Sequence, residues 1–145
     1  MFLDASAIVA ILADEDDAEY LLSKIQQWKK PIHYSSLSIY EAVISLARKK
    51  SLVVEGNKLP THPTLIDQAQ RHVETFIETI GATEIAIDSA THRVAIKASR
   101  NYGRAVAHPA RLNFGDCFAY ACAKVHNIPL LYKGDDFPLT DIESA

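Results

Sequence analysis

Acidic residues recur where a strand is expected to end or a helix to begin. Asp4 follows the first apolar run, Glu41 lies near the start of a helix after the second predicted strand, and Asp116 lies near the start of the last helix. Asp135 and Asp136 follow the fourth predicted strand. Ligands of parallel sheets collect at the carboxyl ends of the strands, which meet at one edge. The sequence therefore predicts one acidic pocket built from these residues.

Such a pocket would be unfavourable without bound cations, because crowded carboxylates repel and raise one another's pKa values. Mg²⁺ and Mn²⁺ prefer oxygen ligands and keep several water molecules in their coordination shell. Two such ions could stabilise the attacking and the leaving oxygens of an in-line displacement, with no need for a protein imidazole. The six histidines show no ligand spacing such as His-x-x-x-His. The pattern therefore favours metal-assisted phosphoryl chemistry.

The acids of the first and last helices also have structural explanations. Asp4 could be the N-cap of a helix that starts near Ser6. Asp116 lies three residues after Asn113, where an acid also interacts favourably with the helix dipole. Capping and metal binding are compatible, so both interpretations remain open.

The other acids have local alternatives of the same kind. Glu41 could be only the N3 partner of Ser38, because Ser-x-x-Glu is a capping-box pattern. Asp135 and Asp136 could be turn residues after Gly134, which is a common use of aspartate. These alternatives also remain open.

The predicted elements alternate between strand and helix, which is typical of an α/β sandwich with a mainly parallel sheet. Four short apolar strands are expected, at 2–4, 32–35, 84–87 and 129–132. Helices are expected at 6–13, 18–28, from 38 onwards, 65–80, from the cap Asp88 to about 102, and 113–126. Gly81 is expected to end the fourth helix. With 145 residues, the chain fits a single domain over residues 1–145.

Net charge, apolar runs and cysteine content indicate the kind of protein and the compartment in which it is expected. The net charge of −3 means that any attraction for nucleic acid must come from a local basic patch and bound cations. No apolar run approaches the roughly 20 residues that cross a bilayer, and no signal peptide is visible. Cys117 and Cys122 lie five apart on different faces of one predicted helix, so we expect buried thiols without a disulfide or zinc. We expect a cytoplasmic protein.

A basic run leads into the last acidic helix. Its members are Lys97, Arg100, Arg104, His108 and Arg111. Phosphate contacts from such side chains would position RNA without reading its sequence. An ordinary solvated helix face and loop would show the same residues, because Lys and Arg are mostly exposed.

Four motifs taken together resemble a PIN domain. They are Phe2-Leu3-Asp4-Ala5-Ser6-Ala7, Ser38-x-x-Glu41, Asn113-Phe114-Gly115-Asp116-x-x-x-Tyr120-Ala121 and Leu131-Tyr132-Lys133-Gly134-Asp135-Asp136-Phe137. More narrowly, the chain is similar to VapC, the ribonuclease toxin of type II toxin–antitoxin operons. The resemblance covers nearly the whole chain, with the motifs in the right order and the chain of the right length.

This resemblance implies a PIN-like three-layer α/β/α sandwich with a short, mainly parallel central sheet. It also implies an endoribonuclease that uses Mg²⁺ or Mn²⁺, is held inactive by a VapB-like antitoxin and forms a homodimer. The matching catalytic and metal-binding positions are Asp4, Glu41, Asp116 and an acid of the Gly134 turn, for which we favour Asp135. Ser6, Asn113 and Asp136 are expected to support them.

Two other functions would explain part of the same pattern. A receiver-type phosphoacceptor domain also gathers acids at strand ends, and Asp88 follows a predicted strand; yet the first strand offers a single Asp4 where a receiver has a pair. A non-catalytic PIN scaffold would only bind a partner, although none of the four acids is plainly missing. The polar loop from Glu55 to Pro63 is expected to shape antitoxin or RNA specificity.

Overall fold

The computed structural model describes residues 1–55 and 60–145, with the backbone alone at 54 and 55. Two 3-10 turns, Arg104–Val106 and Phe137–Leu139, accompany the helices and strands. The strands are β1 Phe2–Leu3, β2 His33–Tyr34, β3 Thr83–Glu84 and β4 Leu130–Leu131. The helices are α1 Ala5–Leu12, α2 Ala18–Gln27, α3 Ser36–Glu55, α4 Pro63–Thr79, α5 Ser89–Tyr102 and α6 Phe114–His126.

The four strands form one parallel sheet in the order β3-β2-β1-β4. The central strand β1 pairs with β2 through Phe2 and His33, and with β4 through Phe2 and Leu130. The prediction of a short, parallel central sheet is therefore confirmed. Each strand is shorter than expected, with two residues in place of three or four.

Side chains of the sheet alternate between two apolar cores, as the period of a strand requires. Leu3 and Leu131 lie in one core with residues of α1, α2, α3 and α4. Phe2 and Leu130 lie in the other, with residues of α5 and α6. Helices thus cover both faces of the sheet, and the predicted three-layer sandwich is confirmed.

The start of α3 differs from the sequence-based prediction. The helix begins at Ser36, and the Ser35 hydroxyl accepts a hydrogen bond from the Ser38 backbone N–H at 3.2 Å. Ser35 therefore takes the capping role that was assigned to Ser38, and the predicted capping box with Glu41 is wrong. Glu41 consequently lies in the second turn, where the orphan backbone N–H groups of a helix start are out of its reach.

Several helix ends follow the predictions. The Asp88 carboxylate caps α5 by accepting from the N–H groups of Ala90 and Thr91, both at 2.9 Å. Gly81 follows α4 with a φ of +63°, a conformation that favours glycine. α4 itself starts at Pro63, two residues before the expected position. Of the predicted loop from Glu55 to Pro63, residues 56–59 lie outside the described part.

Two further expectations concern the last helix and membrane spans. Cys117 and Cys122 are both buried and unpaired, as predicted. Within residues 1–55 and 60–145, no helix is long and apolar enough to span a bilayer.

Candidate active site

Asp4 is fixed where β1 passes into α1. It is only 4% exposed and caps α1, accepting from the Ser6 backbone N–H at 2.9 Å and from the Ser6 hydroxyl. The Ser6 oxygen in turn accepts from the backbone N–H of Lys133 at 3.0 Å. Ser6 therefore joins the carboxyl ends of β1 and β4, and the capping interpretation of Asp4 is correct without excluding a second role.

Asp116 and Asn113 cap α6 reciprocally. The Asp116 Oδ2 accepts from the Asn113 backbone N–H at 2.7 Å, and the Asn113 Oδ1 accepts from the Asp116 backbone N–H at 3.1 Å. These two bonds hold the aspartate in one orientation and occupy one of its two carboxylate oxygens. The predicted capping by Asp116 is confirmed, and its Oδ1 is not used by the cap.

Glu41 reaches from α3 to the first turn of α6. A Cβ atom added at Gly115 would lie 2.1 Å and 2.2 Å from the two Glu41 carboxylate oxygens, so this close approach requires glycine. Among the residues that the structure describes, none donates a hydrogen bond to this carboxylate or forms an ion pair with it. A half-buried, unpartnered carboxylate is costly to hold in its charged form.

Burial and neighbouring negative charge act on the pKa values of the three acids. Burial, together with the charges of Asp4 and Asp116, raises the pKa of Glu41 to about 7. Burial and the charge of Asp4 also raise the pKa of Asp116 to about 6, against the opposing effect of its capping bond with Asn113. Burial raises the pKa of Asp4, although its hydrogen bonds with Ser6 favour the charged form. Like charges are therefore held close together in a partly desolvated place.

All three acids line one open cleft of about 470 Å³. Its walls come from α1, the segment that follows α1, α3, the start of α6 and the turn after β4. The lining residues are Asp4, Ala5, Ser6, Val9, Glu15, Glu41, Ser45, Lys49, Asn113, Asp116, Lys133 and Gly134. The structure thus brings together Asp4, Glu41 and Asp116, with Ser6 and Asn113, two of the three expected supporting residues.

This constellation belongs to a known domain type. The model of the PIN domain family matches residues 1–143. The chain belongs to the PIN-domain family. The alternative of a receiver-type domain is therefore wrong, and the carboxylate of Asp88 serves as a helix cap.

Relatives of this PIN domain are similar to it over their whole length. A VapC ribonuclease of Rhizobium meliloti (strain 1021) is 40% identical, over 97% of this chain and 98% of the relative. Ribonuclease VapC42 of Mycobacterium tuberculosis (strain ATCC 25618 / H37Rv) is 34% identical, over 100% of this chain and 98% of the relative. The recognition of a VapC-like PIN domain is thereby confirmed.

A solved structure gives the same result for the fold. The crystal structure of Mycobacterium tuberculosis VapC20, a sarcin–ricin-loop-cleaving toxin, superposes with a TM-score of 0.69, covering 99% of this chain and 97% of that one. At 14% sequence identity, this likeness concerns the fold alone.

The turn after β4 offers two candidates for a fourth acid of this PIN domain. Asp135 and Asp136 are both exposed. The charge of Asp136 contributes to the raised pKa of Asp116, which places Asp136 within electrostatic range of the cleft. Of the two, Asp136 is the one with this electrostatic link to Asp116, whereas the sequence alone favoured Asp135, and the identity of the fourth acid stays a prediction.

Sequence reasoning missed a group of charged residues at the cleft wall. The ammonium of Lys49 lies 2.6 Å from Glu15 Oε1, and that of Lys133 lies 2.6 Å from Glu15 Oε2 and 2.7 Å from Asp17 Oδ1. Glu15 and Asp17 lie between α1 and α2 and were not among the candidate site residues. The proximity of Lys133 to the motif Gly-Asp-Asp was the one local signal for this group.

The predicted basic run is dispersed over an exposed surface. Lys97, Arg100 and Arg111 are exposed. The charge of Arg104 lowers the pKa of Asp116, so Arg104 lies within electrostatic range of that acid. His108 is held by structural contacts, since its Nδ1 accepts from the Ala110 N–H at 3.1 Å. A role of the run in RNA binding stays a prediction.

The donor set of the cleft fits a hard divalent cation. It offers carboxylate oxygens, which Mg²⁺ and Mn²⁺ prefer, and the Glu41 carboxylate has no described partner of its own. Within residues 1–55 and 60–145, no three acidic, His or Cys side chains converge tightly enough to form a ready-made ligand cage.

Proposed function

We propose that this PIN domain is a Mg²⁺- or Mn²⁺-dependent endoribonuclease that acts as the toxin of a toxin–antitoxin pair. The observation that carries the proposal is the cleft in which Asp4, Glu41 and Asp116, from three separate elements, lie together, buried or half-buried, with the pKa of each raised. Relatives at 40% and 34% identity that are named VapC ribonucleases support RNA as the substrate.

Asp4, Glu41 and Asp116 would hold the metal, with Asp136 in preference to Asp135 as the fourth acid. A divalent ion held by these carboxylates would supply charge neutralisation and the activation of water for hydrolysis of the phosphodiester. The raised pKa values suit this role, because carboxylates that repel one another gain most from a bound cation.

The side chains around the acids contribute rigidity. Ser6 fixes the orientation of Asp4, and Asn113 fixes that of Asp116, so both carboxylates are placed before the substrate arrives. Arg104 lies on the same side as Asp116 and can offset charge on an RNA phosphate. Preorganised charges of this kind stabilise a transition state without reorganisation during the reaction.

The test is cleavage of a labelled cellular RNA pool by the purified full chain, with and without Mg²⁺ or Mn²⁺. We expect metal-dependent cleavage that falls about 100-fold or more in Asp4→Asn and Asp116→Asn. Asp67→Asn, an exposed acid of α4, is the matched control and should cleave like the wild type. Equal activity of all variants would refute the proposed site. Absence of cleavage by the wild type would favour the non-catalytic scaffold.

We further propose a VapB-like antitoxin and a second copy of the chain as partners, and the cytoplasm as the place of action. The similarity to VapC ribonucleases supports the partners, and two unpaired cysteines fit a reducing compartment. Co-expression with the product of an adjacent small gene, followed by light scattering of the purified protein, tests both partners. A monomer that cleaves RNA and is not inhibited by that product would contradict them.

A further inference from the structure

Two lysines at the wall of the acidic cleft are held by one glutamate. Glu15 comes from the segment between α1 and α2, Lys49 from α3 and Lys133 from the turn after β4. Each oxygen of the Glu15 carboxylate pairs with one ammonium at 2.6 Å, and Asp17 contacts Lys133 at 2.7 Å. Glu15, Lys49 and Lys133 all line the cleft that contains Asp4, Glu41 and Asp116.

Fold stability alone does not account for this arrangement. Exposed ion pairs typically contribute little to the free energy of unfolding, because the entropy lost in ordering two long side chains offsets their attraction. Here the Glu15 side chain is 20% exposed, and hydrogen bonds from Lys133 and Lys49 lower its pKa, so it stays charged. Glu15 therefore holds both flexible lysines in place in the absence of substrate, and the entropy of ordering them is not lost again when a ligand binds.

Each lysine also keeps donors for a ligand. An ammonium has three N–H donors and no acceptor. Within the described residues, Lys49 uses one donor on Glu15, and Lys133 uses one on Glu15 and one on Asp17. Both ammonium groups can therefore donate to a further oxygen that enters the cleft.

The charges that line the cleft indicate the kind of ligand that would supply this oxygen. A polyanionic chain whose phosphate approaches three carboxylates meets repulsion, except where cations lie beside them. Lysine binds phosphate as a point charge and without base preference. Lys49 and Lys133 are cations of the same cleft, on the wall that also carries Glu15.

We propose that Lys49 and Lys133 bind backbone phosphates of the RNA next to the bond that is cut, and that Glu15 is the positioning residue for both. This inference rests on the proposed ribonuclease function, and it assigns the residues of the cleft that would bind the RNA backbone. Lys49 and Lys133 contact RNA, whereas Glu15 acts through them.

The experiment compares Lys49→Met and Lys133→Met with Lys50→Met in the full chain. Lys50 is the next residue of α3, and its ammonium lies 2.8 Å from His72 Nδ1 of α4, outside the set of cleft-lining residues. The probe is a 20-nucleotide single-stranded RNA of mixed sequence, with Ca²⁺ in place of Mg²⁺ to slow cleavage. The Kd is measured by fluorescence anisotropy over a series of KCl concentrations, and the melting temperature of each variant is recorded.

We expect Lys49→Met and Lys133→Met each to weaken binding several-fold and to reduce the slope of log Kd against log salt by about 0.7, the value for one phosphate contact on a single strand. Lys133→Arg should restore the slope, because it retains the charge. Glu15→Gln should raise KM for RNA cleavage in Mg²⁺ more than it lowers kcat. Lys50→Met should match the wild type in all measurements.

Two outcomes separate this inference from the proposed function. If the wild type cleaves RNA, Asp4→Asn does not, and Lys49→Met shows the Kd and slope of Lys50→Met, the phosphate-binding role is refuted while the nuclease stands. If the wild type fails to cleave any RNA, the proposed function fails instead. Should Lys133→Met lower the melting temperature, Lys49→Met decides, because the Lys49 side chain is 49% exposed and its loss leaves no cavity.

Discussion

Gly115→Ala is a substitution that should separate activity from stability. Gly115 is part of α6, and its φ does not lie in the left-handed region, so alanine fits the backbone. The added Cβ would lie 2.1 Å from Glu41 Oε1, whereas ordinary van der Waals contact begins near 3.4 Å. The Glu41 carboxylate must therefore move by about 1.3 Å. A misplacement of about 1 Å in an active site can reduce the rate by about 100-fold.

The same substitution should not destabilise the fold. Alanine is favoured over glycine inside a helix by about 1 kcal/mol, and the far end of a flexible side chain can move aside. We therefore expect Gly115→Ala to melt at the wild-type temperature or above it. At the same time, kcat/KM for RNA cleavage in Mg²⁺ should fall by about 100-fold.

A double-mutant cycle provides the control. In a Glu41→Ala background, Gly115→Ala should have little further effect on cleavage, because the displaced carboxylate is already absent. Wild-type activity of Gly115→Ala would refute the assigned position of Glu41 in the reaction. An equal loss of activity in both backgrounds would show that Gly115 acts through another group.

Three further predictions concern hydrogen bonding, pH and charge. Ser6→Ala removes the hydroxyl that orients Asp4, so it should lower the free energy of unfolding by roughly 1–2 kcal/mol. It should also lower the rate of RNA cleavage. A denaturant midpoint and a cleavage rate that both match the wild type would contradict this. Because the pKa of Glu41 is raised to about 7, the free energy of unfolding of the metal-free protein should fall as pH rises from about 4.5 through 7. Mg²⁺ binds the charged carboxylate, so it should raise the melting temperature more at pH 8 than at pH 5.5. A Mg²⁺ shift that is the same at both pH values would count against an acidic site. Arg100→Glu with Arg104→Glu should weaken RNA binding and flatten its salt dependence, and an unchanged slope in a binding titration would remove these residues from the RNA surface.

Features of the fold that depend on local pattern could be predicted from the sequence. The alternation of apolar strands with amphipathic helices predicted the parallel sheet, and the helix caps at Asp88 and Gly81 lie where their residue types favour them. Asp4 and Asp116 were predicted both as caps and as parts of one pocket, and the structure shows both arrangements. At Asp4 and Asp116 the residue that suits the helix cap is also the residue that suits the cleft, so both roles could be predicted from the sequence.

Features that depend on competing or distant residues could not be predicted. Ser35 and Ser38 carry the same hydroxyl, so the pattern Ser-x-x-Glu could not show that the helix starts after the first of them. Glu15 and Lys133 are 118 positions apart in sequence, and only the tertiary fold brings the segment after α1 beside the turn after β4. The choice between Asp135 and Asp136 depends on the direction of one turn, which spacing does not determine.

The most direct test of the central claim is a crystal structure of the full chain grown with Mn²⁺ and measured at the manganese absorption edge. We expect at least one anomalous peak in the cleft, within coordination distance of an oxygen of Asp4, Glu41 or Asp116. A protein that cleaves RNA in Mn²⁺ but binds the metal elsewhere, with these three carboxylates uncoordinated, would contradict the claim that they form its metal-dependent active site.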